Sequence, residues 1–434
     1  MSEAPGTSMR ADVAIVGAGP AGIAAAIHAA GAGSQVVVLD AAPQPGGQIW
    51  RHTERSALPA VARRWLERLD RCGATLVSGA AVVDAEPGRL GVEWRGRGLR
   101  VEAGAIILAT GAQELFLPFP GWTLPGVFGV GGAQALLKAG LDVRGKRVAV
   151  AGTGPLLLPV AAALSRAGAD LRMVAEQAPP EAVRRFAASL WRTPGRLLQA
   201  AAYRAAFPTV RYRWGTWVRR VDAVAGELRV TYASGQSAWI EPVDLLCTAS
   251  GLTPSLELAR LVGCEVQGGC VVVDDRQRTS LPSVYAAGEP TGNTGVEAAL
   301  VEGSIAGLAA VGQEGSGATK RLLAERARHR RFAEQAAVAF RLRPELRERV
   351  EPGTIVCRCE DIRLAALKPE WSARQAKLAT RAGMGACQGR VCGPALHHLF
   401  GVEADTVRVP LVPTSLGVLA GLTASHDESQ GVPE

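Results

Sequence analysis

No two of the eight cysteines in this 434-residue sequence are separated by two residues. The CxxC spacing of a dithiol redox centre or of a zinc knuckle is therefore missing. Cys72 and Cys247 stand alone, and Cys264 and Cys270 are separated by five residues; all four read as small buried hydrophobes. Aromatic residues are scarce, at 5%, which suits parallel-sheet folds built on Ala and Val. No segment reads as a transmembrane span, because the apolar stretch 13–30 is broken by a glycine turn. No charged n-region followed by an apolar h-region and a cleavage site opens the chain. The regular cysteine spacing of a secreted scaffold is absent as well, so the expected location is the cytoplasm, with peripheral membrane association left open.

What is present is size and glycine. A chain of 45.2 kDa with 48% hydrophobic residues can build roughly three domains. The 51 glycines follow no collagen-like period. A net charge of +8 comes mostly from arginine and raises the question of a nucleic-acid partner. Between Lys320 and Arg349, however, the charges are interleaved with Leu322, Leu323, Phe332, Ala336, Ala337 and Phe340 at near-helical spacing. No RNA- or DNA-binding module signature accompanies them. The segment reads as an amphipathic connector with a solvated face, and no nucleic-acid partner is expected.

The strongest local signal is at the N-terminus. Val13-Ala14-Ile15-Val16 reads as a buried strand running into Gly17-Ala18-Gly19-Pro20-Ala21-Gly22 and an alanine-rich helix. Gly17 permits the tight turn, Gly19 lets the backbone approach a pyrophosphate, and Gly22 lets helix pack on strand. A second strand, Val36-Val37-Val38-Leu39, ends in Asp40, placed to accept hydrogen bonds from ribose hydroxyls.

The pattern recurs. Val148-Ala149-Val150-Ala151-Gly152-Thr153-Gly154-Pro155 repeats the first turn almost residue for residue, which makes Gly152 and Gly154 candidate cofactor contacts. Leu157, however, stands in the place of Gly22, and Ala175 and Glu176 follow the next strand where the first copy has Asp40. A nicotinamide nucleotide, another adenine nucleotide, or a vestigial site all stay open. Ala109-Thr110-Gly111 ends one further strand and Gly288-Glu289 ends another, and both are places where backbone can meet a cofactor.

The remaining cysteines cluster late in the chain. An extended Cys357-Arg358-Cys359 would point both thiolates to one face. Cys387 and Cys392 diverge by about 140° on a regular helix, so Gln388-Gly389-Arg390-Val391 should be a loop, with Pro394 in the first turn of a following helix. Arg358, Lys377, Arg381 and Arg390 are close enough in sequence to offset an anionic [2Fe-2S] core. Zinc and unliganded thiols are the competing readings. His397 and His398 read as packing or surface residues, and Trp122, Trp191, Trp214 and Trp217 as core or interface anchors.

In order along the chain, Gly17-Ala18-Gly19-Pro20-Ala21-Gly22, Gly46-Gly47-Gln48, Ala109-Thr110-Gly111, the inserted second turn and Ala286-Ala287-Gly288-Glu289 resemble the two-dinucleotide-domain flavoprotein disulfide reductases. That resemblance runs from about residue 11 to 312. It implies FAD lined by Gly17, Gly19, Pro20, Ala21, Gly22, Asp40, Gly47, Gln48, Thr110, Gly111, Gly288 and Glu289, although the redox CxxC of that superfamily is missing. Cys357-Arg358-Cys359-Glu360-Asp361 together with 380–394 resembles the bacterioferritin-associated-ferredoxin-like [2Fe-2S] domain, implying Cys357, Cys359, Cys387 and Cys392 as ligands.

As a whole the chain resembles the alpha (A-type) subunits of octopine and nopaline oxidases, the B-type subunit of hydrogen cyanide synthase and the alpha subunits of D-hydroxyproline and proline dehydrogenases. The resemblance implies an α/β fold: two Rossmann-like domains, the second inserted into the first, plus the small [2Fe-2S] domain. Expected boundaries are 11–143 and 246–315 for the FAD domain, 144–245 for the second nucleotide domain, 316–352 for the connector, 353–412 for the cluster domain and 413–434 for a tail. The implied role is electron transfer within a heteromeric amino-acid or opine dehydrogenase, with no general base. The implied partner is a beta subunit resembling D-amino-acid, glycine or sarcosine oxidases. The resemblance also leaves room for FMN where the two subunits meet and for a small ferredoxin-like third chain. A self-sufficient NAD(P)H-dependent flavin reductase and a non-catalytic nucleotide-binding scaffold are the alternatives.

Overall fold

The computed structural model describes residues 8–315, 317–403 and 407–423. It divides into two compact units, and each is a sheet-centred fold. The first is built from the described residues up to Gln113, from those of Pro254–Ala333 and from 407–423. Its sheet runs in the order Thr75–Ser78, Val36–Asp40, Ser8–Val16, Arg97–Leu108, Arg89–Trp94, Ala80–Glu86, and Val284–Ala286 pairs with the other side of Arg97–Leu108. The strands Thr75–Ser78 to Arg97–Leu108 and Val284–Ala286 are parallel; the other two form antiparallel hairpin partners. The near-continuous apolar runs of the parallel strands are explained by burial on both faces.

Two helices of this unit touch backbone to backbone. Helix Pro20–Gly31 packs on helix Val296–Ala310, and a Cβ at Gly303 or Gly307 would lie 2.0 or 2.4 Å from the carbonyl oxygens of Ala21 and Ala25. Only glycine fits there. The contact carries Gly288 and Glu302 to the start of the first helix.

The second unit comprises Glu114–Thr253 and the stretch that begins at Glu334. Its parallel sheet runs Arg211–Trp214, Asp170–Glu176, Arg147–Gly152, Leu245–Ala249, Val127–Gly129, with an antiparallel ribbon of Trp217–Val224, Glu227–Ser234 and Ser237–Val243. The strand Leu245–Ala249 pairs with Arg147–Gly152, so residues 246–249, expected in the FAD domain, complete the second sheet instead. Of the connector expected over 316–352, Gly317–Ala339 forms a helix, as the apolar spacing predicts, but the helix stops there, and only a separate short turn of helix, Glu345–Glu348, follows. The unit boundary falls inside that helix, not at its ends.

After Glu334 the second unit includes the short strand Ile355–Cys357, helix Ala373–Thr380 capped by Ser372 and Gln375, and helix Cys392–Phe400. Near the C-terminus, helix Leu416–Thr423 buries Val418 against Arg97–Leu108 in the first unit. This helix falls within 413–434, expected to be a tail, and corrects that expectation; the sequence beyond Thr423 lies outside the described residues.

Candidate functional site

The first turn adopts the conformation its glycines were expected to permit. Gly17 has φ +106°, and a Cβ there would meet the Ala109 carbonyl oxygen at 2.2 Å; one at Gly22 would meet the Gly17 oxygen at 1.8 Å. At Gly19 the nearest atom to such a Cβ is 3.9 Å away, so the space above it is open. The helix begins at Pro20 without a side-chain cap, leaving its first N–H groups for a ligand. Gly47, with φ +58°, lies against Gly19, and Gln48 is exposed on the same turn.

Asp40 accepts hydrogen bonds from the N–H groups of Ala18, at 2.5 Å, and Ala42, at 2.7 Å. Burial raises its carboxyl above the usual range, and the two N–H donors partly oppose this. Thr110 donates its hydroxyl to the Ser255 carbonyl at 2.8 Å and the Gly111 carbonyl accepts from the Ser255 N–H at 3.0 Å, while Gly111, with φ +71°, has open space beside its Cα. Gly288 donates its N–H to Glu302 at 3.0 Å. Glu289 accepts from Gly295 at 3.2 Å through Oε1, while its buried Oε2 has no partner. Burial pushes Glu289 up to about 7, with Glu302 adding to the effect.

Glu302 carries no motif and is nevertheless fully buried. It accepts from Gly288, from the Thr291 hydroxyl at 2.9 Å and from Arg330 Nε at 3.2 Å. An open glycine cradle, an uncapped helix start and an orphaned carboxylate oxygen fit the diphosphate and hydroxyl groups of FAD.

At the second turn, a Cβ at Gly152 would meet the Ala249 carbonyl oxygen at 1.9 Å, the same close approach as Gly17 on Ala109. Ala249-Ser250-Gly251 is thus a second copy of Ala109-Thr110-Gly111, hard to see in the sequence because it lacks the threonine. Glu176, fully buried, accepts from Gly154 and Ala178, both at 2.8 Å, as Asp40 does in the first copy. Burial lifts it to about 7 against those N–H donors. Gln177 and Thr153 are buried too, and their polar groups are bonded to the chain itself.

The four late cysteines line one cavity of about 110 Å³, walled by Phe116, Trp122 and Val391. Cys357 and Cys392 are buried, Cys387 is half-buried and Cys359 exposed, and none is in a disulfide. Cys359 lies beside Cys387 and Cys357 beside Cys392. The strand ends at Cys357 and Cys359 sits in a turn, so a turn, not strand alternation, brings the two thiols to one side. Cys387 and Cys392 are separated by turns, and the helix starts at Cys392, with Pro394 in its first turn.

Three features hold this loop. A Cβ at Gly385 would lie 2.2 Å from the Cys359 Cβ, so only glycine lets the two cysteine segments meet. The Arg390 N–H donates to the Cys387 carbonyl at 3.0 Å; burial raises the Cys387 thiol, but the backbone N–H groups of this loop and Cys359 outweigh it, and the net shift is downward. The Trp122 indole N–H donates to the Ile355 carbonyl at 2.6 Å, pinning the strand that leads to Cys357. Burial and the neighbouring Cys357 push the Cys392 thiol up. Of the basic residues expected to offset a cluster, Arg358 lines the cavity, but Arg381 bonds Glu360 at 2.8 Å and Lys377 is exposed.

Among the described residues no three His, Cys, Asp or Glu side chains form a single-ion site. Four thiols lining one cavity are a donor set that fits an anionic iron-sulfur cluster. His398 has an unpartnered buried Nε2 and is pushed down to about 4 by burial and by Arg347 and Arg349; it does not line the cavity.

Residues 11–310 match the model of the pyridine nucleotide-disulphide oxidoreductase family. The A-type subunit of opine oxidase from Agrobacterium tumefaciens (strain Ach5) is 32% identical, with 95% of this chain and 92% of that protein covered. Its counterpart from Rhizobium meliloti (strain 1021) is 33% identical over 95% and 98%. The HcnB subunit of hydrogen cyanide synthase from Pseudomonas aeruginosa is 33% identical over 87% and 90%. The fold of L-proline dehydrogenase from P. horikoshii superposes with a TM-score of 0.64 at 19% identity, covering 96% of this chain and 81% of that one. The chain therefore belongs to the pyridine nucleotide-disulphide oxidoreductase family, within the group that contains the A-type subunits of opine oxidases and the HcnB subunits of hydrogen cyanide synthases.

Proposed function

We propose that this chain is the FAD- and [2Fe-2S]-containing electron-transfer subunit of a heteromeric amino-acid or opine dehydrogenase. A partner flavoprotein of the amino-acid-oxidase type removes a hydride from a secondary amine such as octopine, nopaline or D-hydroxyproline and passes the electrons to the present chain. The same reading includes FMN where the two subunits meet and a small ferredoxin-like third chain. When bound, a flavin exchanges electrons in pairs or singly and a [2Fe-2S] cluster relays single ones.

The chain's own residues do the positioning. Gly17, Gly19 and Gly22 with Pro20 and Ala21 would cradle the FAD diphosphate. Asp40, Gly47, Gln48, Thr110, Gly111, Gly288 and Glu289 would surround the rest of the FAD. Cys357, Cys359, Cys387 and Cys392 would hold the cluster. No proton-transfer residue is assigned, because the amine is oxidised on the partner.

The observation that supports the reading is four thiols lining one cavity in a chain that also has an open glycine turn at the start of its first helix. The test is anaerobic purification with quantification of flavin, iron, zinc and acid-labile sulfide. One flavin, two irons and two labile sulfides per chain are expected, and changing any of the four cysteines to alanine should remove the iron while flavin stays. Stoichiometric zinc without labile sulfide would refute it.

A further inference from the structure

The second nucleotide-type turn departs from the first in a way that goes beyond the electron-transfer reading and does not depend on it. With Gly152 aligned on Gly17, the first helix begins at Pro20, but the second begins at Leu157, the counterpart of Gly22. Leu157 is fully buried in the core of this unit. Its N–H closes a tight turn onto the Gly154 carbonyl at 3.2 Å. The helix start that would face a pyrophosphate is thus set back by two residues.

Across the same crevice runs the segment that follows the connector helix. The Thr153 hydroxyl donates to the Phe340 carbonyl at 3.1 Å. Gln177 Nε2 donates to Thr153 Oγ1 at 2.9 Å and to the Arg341 carbonyl at 3.1 Å, and Gln177 Oε1 accepts from the Arg343 N–H at 3.2 Å. The Phe340 ring packs edge-on against Phe186, centroids 5.1 Å apart. These contacts lie at the carboxyl ends of Arg147–Gly152 and Asp170–Glu176, where a doubly wound sheet takes the adenosine half of a dinucleotide.

At the neighbouring switch point, between Gly152 and Ala249, Leu346 and Arg349 close the space, leaving a cavity of about 20 Å³. That volume admits a water and not a nucleotide. Arg349 donates to the Val218 carbonyl at 2.6 Å and lies over the Phe119 ring, 4.8 Å from its centre. As they stand, the residues of this site do not fit NAD(P).

We infer that residues 340–349 are an intramolecular plug of the second nucleotide crevice, and that NADH or any adenine nucleotide binds there only by displacing them. Thr153 and Gln177, the buried polar side chains that face this segment, are already engaged by the plug.

Competition is measurable on the FAD-loaded full-length chain. NADH and ADP are titrated as probes, with amide hydrogen exchange of 340–349 followed in parallel. Wild type should show no saturable binding below roughly millimolar concentration, and any binding above it should coincide with faster exchange of the Arg343 amide. The double variant Phe340→Ala/Leu346→Ala should bind at least roughly tenfold more tightly, because the competent fraction rises. Phe340→Ala alone, which leaves the buried Leu346 in place, serves if the pair does not fold. Saturable binding with the plug amides still protected would overturn the inference. So would a variant whose plug amides exchange freely and whose affinity does not rise.

Discussion

Substituting Gly385 by alanine tests the cysteine site at one methyl group. The backbone at this position is not in the left-handed region, so alanine adds no conformational strain of its own. Its Cβ would stand 2.2 Å from the Cys359 Cβ and 3.1 Å from Glu360 Oε1, whereas real Cβ contacts do not fall below 3.0 Å. The Cys359 segment must therefore retreat by about 0.8 Å. Metal–thiolate distances tolerate only about 0.2 Å, so one of the four proposed cluster ligands would move out of reach. The overpacking itself costs about 1–3 kcal/mol, which a unit with its own sheet and core can absorb. The assay is iron and labile sulfide per flavin, with the visible and electron-paramagnetic spectra of the reduced protein. Expected is a folded chain with full flavin and less than about a tenth of the wild-type iron, since losing one ligand costs several kcal/mol of metal affinity. Full iron content with an unchanged spectrum would refute the argument that Gly385 is required for the two cysteine segments to converge.

The flavin cradle separates two glycines. Gly22→Ala forces its methyl to within 1.8 Å of the Gly17 oxygen and should lower both flavin content and stability, by roughly 1–3 kcal/mol in urea unfolding. Gly19→Ala meets nothing closer than 3.9 Å and should leave the melting temperature of the apo chain unchanged while flavin content falls. Trp122→Phe deprives the Ile355 carbonyl of its buried donor and should cost about 1–3 kcal/mol, seen as faster loss of iron to a chelator; an unchanged rate contradicts the pinning role. Burial raises Glu289 from 4.5 to about 7, so the folded apo chain holds a proton that the unfolded chain has released in that interval. Its contribution is complete below about pH 4.5 and is lost as pH rises through about 7. Glu289→Gln should flatten the decline of apo stability across that window, and an unchanged slope would count against the buried, protonated carboxyl.

The flavin turn was legible because its glycines are demanded by sterics that act within a few residues: the close contacts of Gly17 on Ala109 and Gly22 on Gly17 follow from the strand-turn-helix pattern. The connector helix was legible from its apolar period. Other features depend on residues far apart in sequence and leave no local trace. Glu302 is one mid-helix carboxylate among alanines, and its role arises only when Gly303 and Gly307 bring its helix onto the first. Gln177 and Arg343 are 166 positions apart, so no spacing argument links the plug to the crevice. The strand Leu245–Ala249 reads in sequence as a return to the first domain, but its register with Arg147–Gly152 assigns it to the second sheet. The two-residue spacing of Cys359 from Cys357 allows a strand; the turn at 358–360 reaches the same side by another route. Sequence distance alone puts Arg381 near the sulfurs, and Glu360 claims it.

The most direct test of the electron-transfer assignment is an anaerobic absorbance titration of the chain carrying FAD and cluster, first with NADH and NADPH and then with the partner flavoprotein and its amine. Neither nicotinamide nucleotide should bleach the flavin or cluster bands, and both bands should bleach once partner and amine are present together. Rapid, stoichiometric bleaching by NADH or NADPH alone would contradict that assignment and make the chain a self-sufficient reductase.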